Sequence, residues 1–291
     1  MTAPAVSVLM PVHNGGHFLR PALESLSIQT FADFEILVVN DGSTDDTATQ
    51  LAVWPDPRLR VLTFPVNRGE AAARNHGLAA ARGRYIALLD SDDLAYPDRL
   101  AAQVSHLDAH PAIGLLGADC DVISAEPGPH APIDSPRTDA DLRWQSVFGH
   151  AFVHSMLLFR RELFSEHGVA YSTEFPVATD YDWFTRALAV TRAATYPARL
   201  GAYRRHETSF MRRHAEALPA ALATLAHRHL DREFPALAGH ISNADLRDLH
   251  RMFAAGRVPG EKLPLAAMRR AAILHADLHA AFTARVHNPA P

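Results

Sequence analysis

Short apolar runs recur along the first third of the chain, each ended by a polar cluster, and between them apolar positions fall at helical spacing. Val6-Ser7-Val8-Leu9-Met10 runs up to Pro11, and Phe34 to Val39 and Tyr85 to Leu89 are runs of the same kind. Short runs without polar alternation suit strands buried on both faces, as in a parallel sheet. Helices are predicted over Phe18 to Gln29, over Thr44 to Ala52 after a Ser43/Thr44 cap signal, and over Glu70 to Arg82, closed by Gly83. This alternation makes the fold class α/β, with a doubly wound, mostly parallel sheet flanked by helices.

The pattern continues with a helix over Pro97 to Ala109, an apolar run over Ile113 to Val122 and a Pro/Gly-rich loop from Glu126 to Pro136. A strand is predicted at Ser155 to Phe159, a short helix at Arg161 to His167, a helix at Tyr181 to Val190 and a last strand at Leu200 to Tyr203. Composition changes near Arg212. From His214 onward the chain is rich in Ala, Leu, Arg and His, with breaks at Pro235, Gly239, Gly256, Pro259 and Pro264, so three or so helices are expected as a C-terminal appendage. The division expected is 1–212 and 213–291, with Asn288 to Pro291 frayed.

Composition narrows the function classes. The chain has 291 residues, enough for one large core with an added subdomain, and a formal net charge of −4, which gives no general field attracting nucleic acid. Cys120 is the only cysteine, so neither an intrachain disulfide nor a thiolate metal cage can form. No stretch approaches a membrane span, and Met1 to Val12 lacks the form of a signal peptide. These features predict a soluble protein in the cytoplasm, at most peripheral at the inner face of a membrane. Lys262 is the sole lysine among many arginines, which reads as coding bias.

The polar clusters His13-Asn14, Asn40-Asp41-Gly42-Ser43 and Asp90-Ser91-Asp92-Asp93 each follow a predicted strand, and ligands of such sheets bind at strand carboxyl ends. Three carboxylates within Asp90 to Asp93 repel one another unless a cation or water shares the site. Their hard oxygens suit Mg²⁺ or Mn²⁺, with coordination positions left for phosphate. The same cluster also reads as a solvated turn with a helix cap.

Taken in order, the motifs resemble family 2 glycosyltransferases, which have the GT-A fold, over roughly Val6 to Phe210. The resemblance rests on Val6 to Asn14, Val39 to Asp45, Asn67-Arg68-Gly69-Glu70-Ala71-Ala72-Ala73-Arg74-Asn75-His76-Gly77, the Asp-X-Asp pattern of Asp90 to Asp93, Thr179-Asp180-Tyr181-Asp182-Trp183, and Tyr203 to Ser209. It implies an inverting transfer of a sugar from a nucleoside diphosphate to an acceptor hydroxyl, with a nucleotide-sugar half over about 1–110 and an acceptor half over about 111–212.

For the donor, the resemblance implies contacts from Pro11, His13, Asn14, Asp41, Arg74, Asp90, Asp92 and Arg204. Asp41 can accept the imide N–H of uracil, a donor that adenine and cytosine lack at that ring position, so a uridine or thymidine donor is favoured, a UDP-sugar first. The turn containing Asp41 and the helix carrying Arg74 have bland readings too, as a turn leading into a capped helix and as a solvated face. Metal ligands are expected at Asp92, Asp93 and His206, an imidazole tilting preference toward manganese. Asp180 is the expected general base, or else a helix N-terminal cap with Asp182. His154, Asp182 and Trp183 are assigned to the acceptor side, His154 equally well as a structural histidine and Trp183 as core. Thr179 stands where the family commonly has Glu.

In the tail, the pairs His227/His229 and His275/His279 read as exposed helix histidines, not as a zinc site. Leu218, Leu222, Leu225 and Leu230, with Met252, Phe253 and Phe282, pack on the catalytic part, pair subunits or touch a membrane surface; packing is the default. Two other classes were weighed: a nucleotidyltransferase, disfavoured by the absence of a glycine-rich phosphate loop with its Lys, and a degenerate nucleotide-sugar-binding scaffold.

Overall fold

The structure is a computed structural model that describes residues 3–124, 130–175, 177–206, 216–239, 241–254 and 265–287. Residues 126–129 of the expected loop, Glu207 to Ser209, the boundary near Arg212, the breaks at Gly256, Pro259 and Pro264, and Asn288 to Pro291 lie outside the described residues, as do the side chains of Met252 and Phe253.

Among the described residues eight strands form one sheet, in the order β3-β2-β1-β4-β7-β6-β8-β5. They are β1 (Val6–Val12), β2 (Phe34–Asp41), β3 (Leu59–Phe64), β4 (Tyr85–Leu88), β5 (Leu94–Ala95), β6 (Ile113–Ser124), β7 (Leu158–Arg160) and β8 (Arg192–Arg205). The helices are α1 (Gly16–Ser27), α2 (Thr47–Ala52), α3 (Glu70–Ala80), α4 (Arg99–Ala109), α5 (Asp139–Ser146), α6 (Glu162–Ser165), α7 (Thr179–Leu188), α8 (Leu218–Glu233), α9 (Pro235–Ala238), α10 (Asn243–Ala254) and α11 (Leu265–His287). Strands β3, β2, β1 and β4 pair in parallel, β7 runs antiparallel to both β4 and β6, and β8 pairs β6 in parallel and β5 antiparallel.

Alternate residues of the central strands enter two different cores, which is why those strands read as unbroken apolar runs. Leu9, Leu37, Val39, Ile86 and Leu88 face a cluster with α3, α7 and the C-terminal helices. Val8, Met10, Ile36, Val38 and Ala87 face α1 and α4. Leu225 and Leu230 of α8, Leu246 and Leu249 of α10 and Leu278 of α11 belong to the first cluster, with Leu218 and Leu222 packed on it, so the tail extends that core.

Three expectations are corrected. β1 does not stop at Pro11 but runs to Val12. Leu9 O accepts from Leu89 N, so the polar groups of Leu9 and Pro11 face the β4 side, where strand pairing has ended at Leu88; the missing N–H of Pro11 therefore costs no ladder bond. The run expected as a strand from Ser155 begins as a 3₁₀ turn (His154–Met156), with strand only over Leu158–Arg160. The last strand begins far earlier than Leu200, at Arg192, and its exposed Pro197 and Ala198 bulge out of register with β6.

Candidate active site

β1 lies between β2 and β4, whose connections run to opposite sides of it, so the cleft at their carboxyl ends is the topological switch point of the sheet. The turn after β1 is held to the turn after β2 by direct hydrogen bonds. His13 Nδ1 donates to Asp41 O (2.7 Å), Asn14 N donates to Ser43 Oγ (2.9 Å), and Asn14 Oδ1 accepts from Thr44 N (2.8 Å). Asn14 takes the left-handed conformation (φ 54°), which asparagine tolerates. Asp41 is buried, and its two oxygens accept from Arg68 N (2.7 Å) and Gly69 N (2.9 Å), leaving one lone pair on each. The chain can reach Asp41 so closely because residue 42 is glycine: its φ is +62°, and a Cβ there would stand 2.3 Å from the Val66 carbonyl carbon.

At the end of β4 the acidic turn divides its carboxylates. Asp90 accepts from Arg74 Nη2 (2.8 Å), and its N–H donates to Ser155 Oγ (3.1 Å). Asp92 Oδ2 meets His206 Nε2 at 2.9 Å, and Asp92 O accepts from Arg204 Nε (2.7 Å). Asp93 turns inward: Oδ1 accepts from Arg204 N (2.7 Å), while Oδ2 is buried without a hydrogen-bond partner. Burial, reinforced by Asp92 and Asp90, holds the Asp93 carboxyl well above the usual carboxylate range. Phe18 of α1 packs on this end of β8, 4.7 Å from the His206 ring and 5.1 Å from the Arg204 guanidinium. Beneath the turn lies the fully buried Arg99, which donates to Leu88 O (2.7 Å) and Leu157 O (3.2 Å) and is lowered to about 10 by burial, against the pull of Asp93.

A second network hangs on Arg74, expected at the base or phosphate but found buried. Its guanidinium donates to Glu70, Asp90 and His154 Nδ1, and lies over the Tyr171 ring at 5.4 Å. Because Nδ1 of His154 accepts from arginine, the ring proton sits on Nε2, which donates to Tyr171 Oη at 2.8 Å. Burial and then Arg74 push His154 well below the usual histidine value, so this ring is neutral and braces Arg74 against Tyr171. Glu70 is raised to about 7 by burial and by the charges of Asp90, Asp180 and Asp92, against the pull of Arg74.

Asp180 enters from α7. The chain turns into that helix through Ala178 in the left-handed region (φ 56°), and Asp180 Oδ1 accepts from Tyr181 N (2.9 Å). Its charge is felt at Glu70, Arg74, Asp90 and Tyr171, which sets it beside the Arg74 network.

The structure thus brings Asp90, Asp92, Arg204 and His206 together, with Arg74 and Asp180 alongside and Pro11, His13, Asn14 and Asp41 on the neighbouring strand ends. Three expected roles do not fit the placement. Asp182 lies on another face of α7, paired with Arg186 (2.6 Å). Trp183 is fully buried, stacked on Tyr171 (5.4 Å), with Nε1 donating to Val169 O (3.0 Å), and is core rather than an acceptor platform. Asp93 is a pin between two chain segments, not an open ligand. Sequence reasoning passed over Glu70, Arg99, His150, Tyr171 and Phe18. Only Arg99 left a signal, a charge on the buried stripe of α4 with Leu100, Gln103, Val104 and Leu107.

Among the described residues no group of three His, Cys, Asp or Glu could hold a metal ion by itself. The donors that fit are the Asp92 carboxylate and the His206 imidazole, a set suited to Mn²⁺ or Mg²⁺ only when ligand oxygens complete the coordination, as diphosphate oxygens do.

Residues 7–168 match the family described as "Glycosyl transferase family 2". The chain is 27% identical over 225 residues to an uncharacterized glycosyltransferase of Haemophilus influenzae, covering 73% of this chain and 70% of that protein. It is 38% identical over 169 residues to the succinoglycan biosynthesis protein ExoO of Rhizobium meliloti, covering 58% of this chain but 46% of that protein, about half its length. Among solved structures, S. aureus TarS 1–349 in complex with UDP-GlcNAc superposes with a TM-score of 0.67 at 20% identity, over 97% of this chain and 82% of that one. The mannosyltransferase PcManGT of Pyrobaculum calidifontis, in complex with GDP-Man and Mn²⁺, gives 0.60 at 21%, over 100% and 89%. The fold is therefore the GT-A fold of these glycosyltransferases.

Proposed function

The chain belongs to glycosyl transferase family 2, and from that premise we propose that it is an inverting glycosyltransferase. It moves a sugar from a nucleoside diphosphate, with UDP favoured, to an acceptor hydroxyl on a saccharide or lipid-linked carrier. The observation that supports the reading is that Asp180, from one half of the chain, lies near enough to the Arg74–Asp90 pair of the other half for their charges to interact.

The free lone pairs of Asp41 receive the imide N–H of uracil, and His13, Asn14 and Pro11 line the nucleotide's approach. Asp92 and His206 would hold Mn²⁺ or Mg²⁺, which when bound neutralises charge on the departing diphosphate. The Arg204 side chain, fixed on Asp92 O and against Phe18, places a further positive charge at the same end. Asp180 takes the proton of the acceptor hydroxyl as its oxygen attacks the anomeric carbon from the face opposite the diphosphate, so configuration inverts. A well-placed base contributes about 10²–10⁴-fold. No helix among the described residues is long and apolar enough to cross a membrane; the proposed setting is the cytoplasm, at most at the membrane's inner face.

The test measures nucleoside diphosphate release from UDP-glucose, UDP-GlcNAc and GDP-mannose with Mn²⁺ and a panel of hydroxyl acceptors, alongside UDP binding by calorimetry. Asp180→Asn should abolish transfer and spare metal-dependent UDP binding, while Asp92→Ala should weaken that binding. Normal turnover in Asp180→Asn would refute the base assignment, and UDP binding without turnover on any acceptor would favour a binding protein.

A further inference from the structure

His150 stands beside Asp180 and takes no part in the roles assigned so far. Its Nδ1 is 3.4 Å from Asp180 Oδ2. Its Nε2 is buried with no hydrogen-bond partner, and the ring lies against Tyr181 (5.3 Å) and Phe184 (6.2 Å) of α7. In the neutral ring one nitrogen carries the proton, and the unpartnered one is the cheaper place for a bare lone pair, since a buried N–H would lose a bond to water. The proton therefore sits on Nδ1, facing Asp180. The other oxygen of that carboxylate already accepts from Tyr181 N (2.9 Å).

We infer that His150 is a positioning residue for the base. With His150 beside Oδ2 and the Tyr181 amide on Oδ1, rotation of the carboxylate about its terminal bond is restricted. The 3.4 Å contact is within ion-pair reach but is not a hydrogen bond in this structure, and base contacts are often loose before substrate binds. Position 179, where the family commonly carries a second carboxylate, is here a buried threonine, so the base is steadied by an imidazole from the preceding segment. This inference rests on Asp180 being the base.

The test is a kcat-against-KM separation on whichever of UDP-glucose, UDP-GlcNAc and GDP-mannose the wild type turns over, with calorimetric Kd for UDP plus Mn²⁺. His150→Leu should lower kcat by about 10- to 100-fold, the scale of a misplaced reacting group, and leave donor KM and UDP Kd unchanged. His150→Asn keeps an N–H donor near the Nδ1 position and should restore most of kcat. His150→Gln puts its amide further out and should behave like Leu; it serves in place of Leu if that variant does not fold. Wild-type kcat in the Leu or Gln variant, a loss confined to donor KM or UDP Kd, or failure of Asn to restore kcat would overturn the inference. Asp180→Asn is assayed in parallel: full turnover there would overturn the base assignment itself, whereas an inactive Asp180→Asn beside an active His150→Leu would overturn only the role of His150. No turnover of any donor by the wild type would overturn both.

Discussion

Glu70→Gln should make the protein more stable at alkaline pH, although it removes half of an apparent salt bridge. Glu70 is paired with Arg74, yet the carboxyl is held at about 7 instead of its ordinary 4.5, because burial and the charges of Asp90, Asp180 and Asp92 outweigh the arginine. A carboxyl raised in the folded state favours the protonated form there. Its contribution to stability is complete below 4.5 and is lost as pH rises through about 7. At about 1.4 kcal/mol per tenfold change in proton affinity, the full effect would be about 3 kcal/mol. A third of the side chain meets water, and screening there reduces the expectation to about 1–2 kcal/mol. Glutamine keeps the shape and an acceptor for Arg74, which retains Asp90 at 2.8 Å as a counter-charge. Urea unfolding of wild type and variant at pH 5 and pH 8 reads the difference directly, since the other titrating groups largely cancel. The variant should gain about 1–2 kcal/mol at pH 8 and much less at pH 5. A loss of stability at pH 8, or a gap independent of pH, would refute the reasoning.

Trp183→Ala should cost about 3–5 kcal/mol in chemical denaturation, with Trp183→Phe costing much less, because the indole is fully buried in the main core. Gly42→Ala should lower the melting temperature and weaken UDP binding together, since the new Cβ meets the Val66 backbone that lies beside Asp41. Arg99→Met should cost about 1–3 kcal/mol, leaving Leu88 O without its donor, while Leu157 O keeps Leu88 N, and leaving Asp93 without the guanidinium beside it. Adding Asp93→Asn to that variant should recover part of the loss; strictly additive losses would show that the two residues do not interact.

What the sequence revealed followed from burial symmetry. β1, β2 and β4 were legible because both faces are covered, which leaves little room for polar residues and puts the turns that end them in plain view. β3 is an edge strand with half-exposed residues, and α5 begins Asp139-Ala140-Asp141, so neither shows a clear apolar period. Within the site, strand-end clusters could be read because chain position alone fixes where they lie. Side-chain direction could not. Arg74 points into the protein toward Asp90, and Asp182 and Trp183 leave α7 on faces that spacing does not orient toward the Asp180 cluster. Tyr171 and His150 carry no local motif, and their roles exist only once the segment between β6 and α7 has folded against α3.

The bond from Arg204 N to Asp93 joins positions 111 residues apart. Nearly the whole catalytic sequence must therefore be synthesised, and β8 laid beside β6, before the acidic turn acquires its Arg204 and His206 partners. A ribosome-bound chain halted before β8 would already hold the turns after β1, β2 and β4, but it would lack the groups proposed to hold the diphosphate and its cation. If the proposed cation site is right, capture of a metal-bound nucleoside diphosphate would report that β8 has docked.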